Sequence, residues 1–151
     1  MIQMVTGSDV LALLERVTLG AERYTEVFLC SPFIDDEMFP RLLRLAEVSR
    51  SVQCGVRVIT SPTAARFLRM QLPYHSAFWN SFVVSHRDLH AKVYLAMARG
   101  RGTSEAIVTS ANLTWGGVAE NIELGIRVVS TSDPGRKILF QVRQFVQRLN
   151  A

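Results

Sequence analysis

The chain has 151 residues, of which 48% are apolar and 20% charged, and its formal net charge is +4. That length is enough for one domain, residues 1–151, with its own core, and the balance excludes a disordered chain. A modest positive charge favours an anionic partner such as nucleic acid.

The two cysteines, Cys30 and Cys54, stand in apolar runs with no CxxC or Cys/His cluster around them, so no metal site is expected and buried free thiols are. Free thiols fit a reducing, cytoplasmic compartment. The start of the chain, MIQMVTGSDVLALLERV, has no basic segment followed by a continuous apolar run, and no stretch reaches membrane-spanning length.

In chain order, Val10, Leu11, Leu13, Leu14 and Val17 have helical spacing, with Ser8 or Asp9 as N-cap. TEVFLCSPF reads as a buried strand halted at Ser31-Pro32. Asp35 and Asp36 open a second helix whose Pro40 is tolerated in its first turn. CGVRVIT is the next strand, and after Ser61-Pro62 a short helix runs to about Gln71. Three strands follow without a long helix between them, over 81–85, 90–97 and 105–109. The turn-rich RGRGTS segment predicts a hairpin joining the last two. ANLTWGGVAE has room for a short helix, and IELGIRVV is a further strand. Asp133 as N-cap and Pro134 at the first helical position open a final helix with one apolar stripe from Ile138 to Leu149. The sum is an α/β domain, a mixed sheet with helices on both faces.

Three places break the apolar pattern in the same way. His90 and Lys92 stand two apart in LHAKVYLAMA, Ser110 and Asn112 two apart in VTSANLT, and Asn121 and Glu123 two apart in AENIELG. Residues two apart in a strand share a face, so adjacent strands would merge the pairs into one polar cluster. Such groups are costly to bury without partners. The residue types suit attack on a phosphodiester: a neutral imidazole as nucleophile, a lysine to neutralise the non-bridging oxygens, and Asn112 with Ser110 to donate hydrogen bonds to the charge that builds up. Glu123 would accept the proton-bearing nitrogen of a histidine ring. Nothing in the cluster has metal-ligand spacing, and no cofactor is expected.

HAKVYLA, TSANLT and NIELG together resemble the His-x-Lys half-site of the phospholipase D superfamily, and most of all its small, single-motif bacterial nuclease branch. VFLCSPFIDD resembles the strand and turn that precede the motif in that family. The resemblance implies a phospholipase D-like fold with His90 as nucleophile, Lys92 and Asn112 on the phosphate, Ser110 assisting, and Glu123 orienting a histidine. The chain departs from the family's fuller Lys-x4-Asp motif, with Met97 in the aspartate's place, and its link between the two motif strands, MARGRGTSE, is longer.

His75 and His86 read as ordinary structural residues. Asn121, with Arg99 and Arg101 of the Gly-rich turn, would add contacts to a nucleic-acid backbone, the two arginines reading equally well as solvated turn residues. Tyr74, Phe78, Trp79 and Phe82 could stack bases, although core or subunit contact is the commoner use of such side chains. The leading expectation is a metal-independent nuclease of DNA or RNA that works through a phosphohistidine. The alternatives are a nucleic-acid-binding module that kept the phosphate cradle without turnover, and a lipid phosphodiesterase, for which the chain offers no basic amphipathic helix. The leaving oxygen needs a proton from a general acid opposite the nucleophile, and the sequence has a single His-x-Lys pair. By the resemblance, two chains would complete one site as a two-fold homodimer, with Trp115 and Trp79 the first candidates for packing between them.

Overall fold

In the computed structural model, residues 1–71 and 82–150 are described. Seven strands, β1 (Ile2–Val5), β2 (Tyr24–Cys30), β3 (Gly55–Thr60), β4 (Val83–Ser85), β5 (Val93–Ala98), β6 (Glu105–Thr109) and β7 (Gly125–Val129), form one sheet in the order β1-β7-β6-β5-β2-β3-β4. The helices are α1 (Gly7–Leu19), α2 (Phe39–Ser51), α3 (Pro62–Gln71) and α4 (Asp133–Leu149). β2, β3 and β4 are mutually parallel, and every other pairing is antiparallel.

Strand alternation divides the core into two layers. On one face Val27 and Leu29 of β2, Tyr94 and Ala96 of β5 and Ile107 of β6 pack against α1, α2 and α3. On the other, Phe28, Cys30, Val93, Leu95, Ala106 and Val128 pack against Leu139 and Val146 of α4. The mixed sheet with helices on both faces is the architecture the sequence predicts. Among the described residues no helix is long and apolar enough to cross a membrane.

Element ends differ from the sequence reading in instructive ways. α1 starts earlier, capped by Thr6, whose backbone N–H donates to Asp9 Oδ2 at 2.8 Å in a capping box. α4 is capped by Ser132 rather than Asp133, its hydroxyl accepting from Gly135 N at 3.2 Å. β1 carries no sequence signal because its first three residues are exposed at the sheet margin. β5 begins at Val93, not His90, and β7 at Gly125, not Ile122. The physical reason at β5 is its neighbour: β2 ends at Cys30, opposite Val93, where the chain turns at Ser31-Pro32.

Topology decides what gathers where. β2, β3 and β4 end at one edge of the sheet; β5 is antiparallel to β2 and so begins there, β6 ends there and β7 begins there. The segments holding all three polar pairs therefore emerge along one edge, from three adjacent strands.

Candidate active site

The His90–Lys92 segment runs extended ahead of β5, bonded to its neighbours on both sides. The Ala91 carbonyl accepts from Cys30 Sγ at 3.8 Å, and the Lys92 carbonyl accepts from Thr109 N at 3.2 Å. His90 is exposed and Lys92 half-buried, with Lys92 Nζ 3.4 Å from the His90 carbonyl.

The β6–β7 ladder continues one step past its strands and ties the other two pairs together. Ser110 N donates to the Leu124 carbonyl at 3.0 Å, and Leu124 N donates back to Ser110 Oγ at 3.2 Å. The Ser110 hydroxyl donates to Glu123 Oε2, while Asn121 Nδ2 lies 3.4 Å from Glu123 Oε1. Within the chain, then, Glu123 engages Ser110 and Asn121, where the sequence reading gave it a histidine. The close approach requires a glycine at 125, because a Cβ there would stand 2.6 Å from Thr109 Cβ and 2.7 Å from the Val108 carbonyl oxygen.

Asn112 sits on a segment held from several directions. Tyr94, fully buried, donates its hydroxyl to the Ala111 carbonyl at 2.8 Å, and the buried Ser31 hydroxyl accepts from Leu113 N at 2.9 Å. Asp35 Oδ2 accepts from Trp115 N at 2.8 Å. Behind Asn112 lies the π-helical turn Gly116–Glu120, with Gly117 so close that a Cβ would fall 2.3 Å from the Asn112 carbonyl oxygen. Asn112 Oδ1 is itself buried with no hydrogen-bond partner among the described residues.

Six of the predicted residues, His90, Lys92, Ser110, Asn112, Asn121 and Glu123, are thus on one edge. Arg99 and Arg101 are not. They lie in the β5–β6 hairpin at the opposite edge, about 20 Å away along β5, where Arg99 Nε and Nη2 donate to the carbonyls of Glu22 and Tyr24 at 3.3 Å each. Met97 sits near that far end too, half-buried against the α4 layer. The residue in the motif aspartate's position is therefore remote from His90.

Trp115, expected between subunits, is packed against its own core with the Arg41 guanidinium 5.2 Å from its ring centre. Phe82 is buried, while His75, Tyr74, Phe78 and Trp79 lie outside the described residues. His86, at the end of β4, is half-buried with Nδ1 unpartnered among the described residues, three strands away from β5. Sequence reasoning named Ser31 and Asp35 only as a strand stop and a helix opening, and missed their support of the site together with that of Tyr94 and Gly117; the SPFIDD turn and the Gly116-Gly117 pair after NLTW were the visible signals.

No family model matches the sequence, and no curated protein matches it. Solved structures do. The chain is similar to NucT from Helicobacter pylori at 12% identity and a TM-score of 0.62, over 99% of this chain and 94% of that one. It is similar to Nuc, a phospholipase D family member from Salmonella typhimurium, at 12% identity and 0.57, over 95% and 91%. A polyphosphate kinase from Porphyromonas gingivalis gives 13% and 0.68, over 99% of this chain but only 26% of that one. The first two alignments span nearly the whole of both chains, so the architecture is shared from end to end. The chain has the phospholipase D fold.

Proposed function

We propose that this protein is a phospholipase D-type phosphodiesterase that cleaves nucleic acid through a covalent phosphohistidine on His90, without a metal. The observation that carries the reading is the arrival of the His90–Lys92, Ser110–Asn112 and Asn121–Glu123 pairs on one edge of the sheet from three adjacent strands. The fold shared with a phospholipase D family member supports it; the polyphosphate kinase that shares the same fold means that the substrate must be argued from the site.

In the first step an imidazole nitrogen of His90 bonds to phosphorus as the bond to the leaving oxygen breaks. Lys92 and the Asn112 amide hold the non-bridging oxygens, whose charge grows in the transition state. Water then attacks the phosphohistidine, releasing the imidazole and a phosphomonoester. The leaving oxygen takes a proton in the first step and the attacking water gives one up in the second, so one general acid-base serves both. We assign it to His90 of a second copy facing the first across a two-fold axis. Exposed apolar side chains around the site support a shared arrangement: Phe33 follows β2, and Ile122 and Leu124 alternate with Asn121 and Glu123. Glu123 acts on Ser110, fixing the hydroxyl beside the phosphate.

The test is cleavage of labelled single- and double-stranded DNA and RNA in excess EDTA. Wild type is expected to turn over at least one of them and His90→Ala none, with Lys92→Ala and Asn112→Ala strongly impaired. Full activity in His90→Ala, or activity that requires added magnesium, overturns the reading. Tight, salt-sensitive binding without product identifies a binding module instead.

A further inference from the structure

The edge of the sheet opposite His90 carries a second concentration of charge. There the end of α1, the starts of β2 and β6, the end of β5 and Arg127 of β7 surround an open hollow of about 570 Å³. Four arginines line it, Arg16, Arg23, Arg99 and Arg127, against two glutamates, Glu22 and Glu105, a net charge of two positive.

The arrangement is more than an ion pair needs. Glu105 is 4% exposed, and its two oxygens are used separately: Oε1 accepts from Arg16 Nε at 3.1 Å and also from Nη2, and Oε2 accepts from Arg127 Nε at 2.5 Å. One buried carboxylate thus fixes two guanidiniums and balances one of them. Burial disfavours the charged form of Arg16, but the hydrogen bonds and charge of Glu105, and then of Tyr24, outweigh it and hold its pKa above the ordinary value. Arg99 is fixed by two backbone carbonyls. Arg23, its side chain 75% exposed, stands 3.9 Å from Glu22. Each guanidinium has five N–H donors, and these bonds use a minority of them. Arg16, Arg99 and Arg127 are thus held in place, with the exposed Arg23 beside them, around a solvent-open hollow whose volume is that of small-ligand sites, about 300–1,000 Å³.

Planar guanidiniums fixed in advance recognise tetrahedral oxyanions through paired hydrogen bonds, and fixing them beforehand lowers the ordering cost of binding. We propose that this hollow is a second anion site that takes a phosphate group, separate from the candidate active site and independent of its chemistry. The group could arrive on a free phosphorylated compound or on a nucleic-acid backbone, and the experiment separates the two.

Pyrophosphate is titrated by calorimetry into Lys92→Ala protein, in which the active-site cation is gone and the hollow intact. One saturable site is expected to remain. Adding Arg23→Ala and Arg99→Ala should weaken it about tenfold or more, since each loses a charge-assisted donor. Arg23→Glu alone, at an exposed position that carries no packing, should weaken it as well. Absence of binding in Lys92→Ala, or affinity unchanged by the arginine variants, overturns the proposal. Anisotropy of a labelled single-stranded oligonucleotide across a salt series gives the source. If the backbone occupies the hollow, losing Arg23 and Arg99 lowers the slope of log K against log salt by about 1.4. If the slope holds while pyrophosphate binding is lost, the ligand is a free phosphorylated compound.

Discussion

Replacing Gly117 with alanine tests whether the packing behind Asn112 sets activity. The added Cβ would stand 2.3 Å from the Asn112 carbonyl oxygen, 2.9 Å from its nitrogen and 3.1 Å from its carbonyl carbon. All three are backbone atoms, so no side-chain rotation relieves the overlap. Restoring ordinary contact requires a shift of about 1 Å. Misplacement of that size in a catalytic group costs about 100-fold in rate, or about 2.7 kcal/mol of transition-state stabilisation. The folded state should lose about 1–3 kcal/mol to overpacking. Gly116→Ala is the internal control, because its Cβ would lie 3.5 Å from the Asn121 side chain, in normal contact. Initial rates give kcat/KM and urea titrations give stability for both variants. Gly117→Ala is expected to drop in both, with Gly116→Ala close to wild type. Wild-type kcat/KM in Gly117→Ala, or equal impairment of the two, refutes the reasoning.

Burial pushes the Cys30 thiol up to about 12 from its ordinary 9.0. The folded value lies above the unfolded one, so the contribution is whole below pH 9 and is lost as pH rises towards 12, at about 1.4 kcal/mol per pH unit. Urea titrations at pH 8 and 10.5 should show a shallower decline for Cys30→Ala than for wild type; equal declines contradict this. Tyr94→Phe leaves the Ala111 carbonyl without its 2.8 Å donor, and a lower urea midpoint worth about 1–3 kcal/mol is expected; an unchanged midpoint removes Tyr94 from the support of the site. Mixing His90→Ala chains with wild type tests the shared site. Activity should fall faster than the wild-type fraction, and a strictly proportional fall from a protein that sediments as a monomer rules sharing out.

The layered fold was legible because strand and helix periodicities are strong here. Val27/Leu29 against Phe28/Cys30 is a strand buried on both sides, and Leu139 and Val146 mark the buried stripe of α4. The three polar pairs were legible as interruptions of that pattern, and the topology brings them to one edge. What the sequence hid was long-range or lay at boundaries. The β5 boundary depends on where β2 stops, and the strand Ile2–Val5, exposed except at Val5, has no pattern of its own. The remoteness of Arg99 and Met97 follows from strand direction: five residues of extended chain beyond Lys92 carry Met97 to the other end of the sheet. Ser31, Asp35 and Tyr94 support the site through bonds across 17 to 82 residues of sequence, a range no local motif reports. Glu123 illustrates the same limit, since its type and position were readable but its partner, Ser110, depended on how β6 and β7 register.

The central claim is that His90 carries the phosphoryl group, and mass spectrometry of acid-sparing, rapidly quenched reactions on a cleaved substrate tests it most directly. The account predicts a phosphate-linked adduct on the peptide containing His90, present during turnover, gone once substrate is exhausted, and absent from His90→Ala. Steady product formation with no adduct on that peptide at any time point would contradict it.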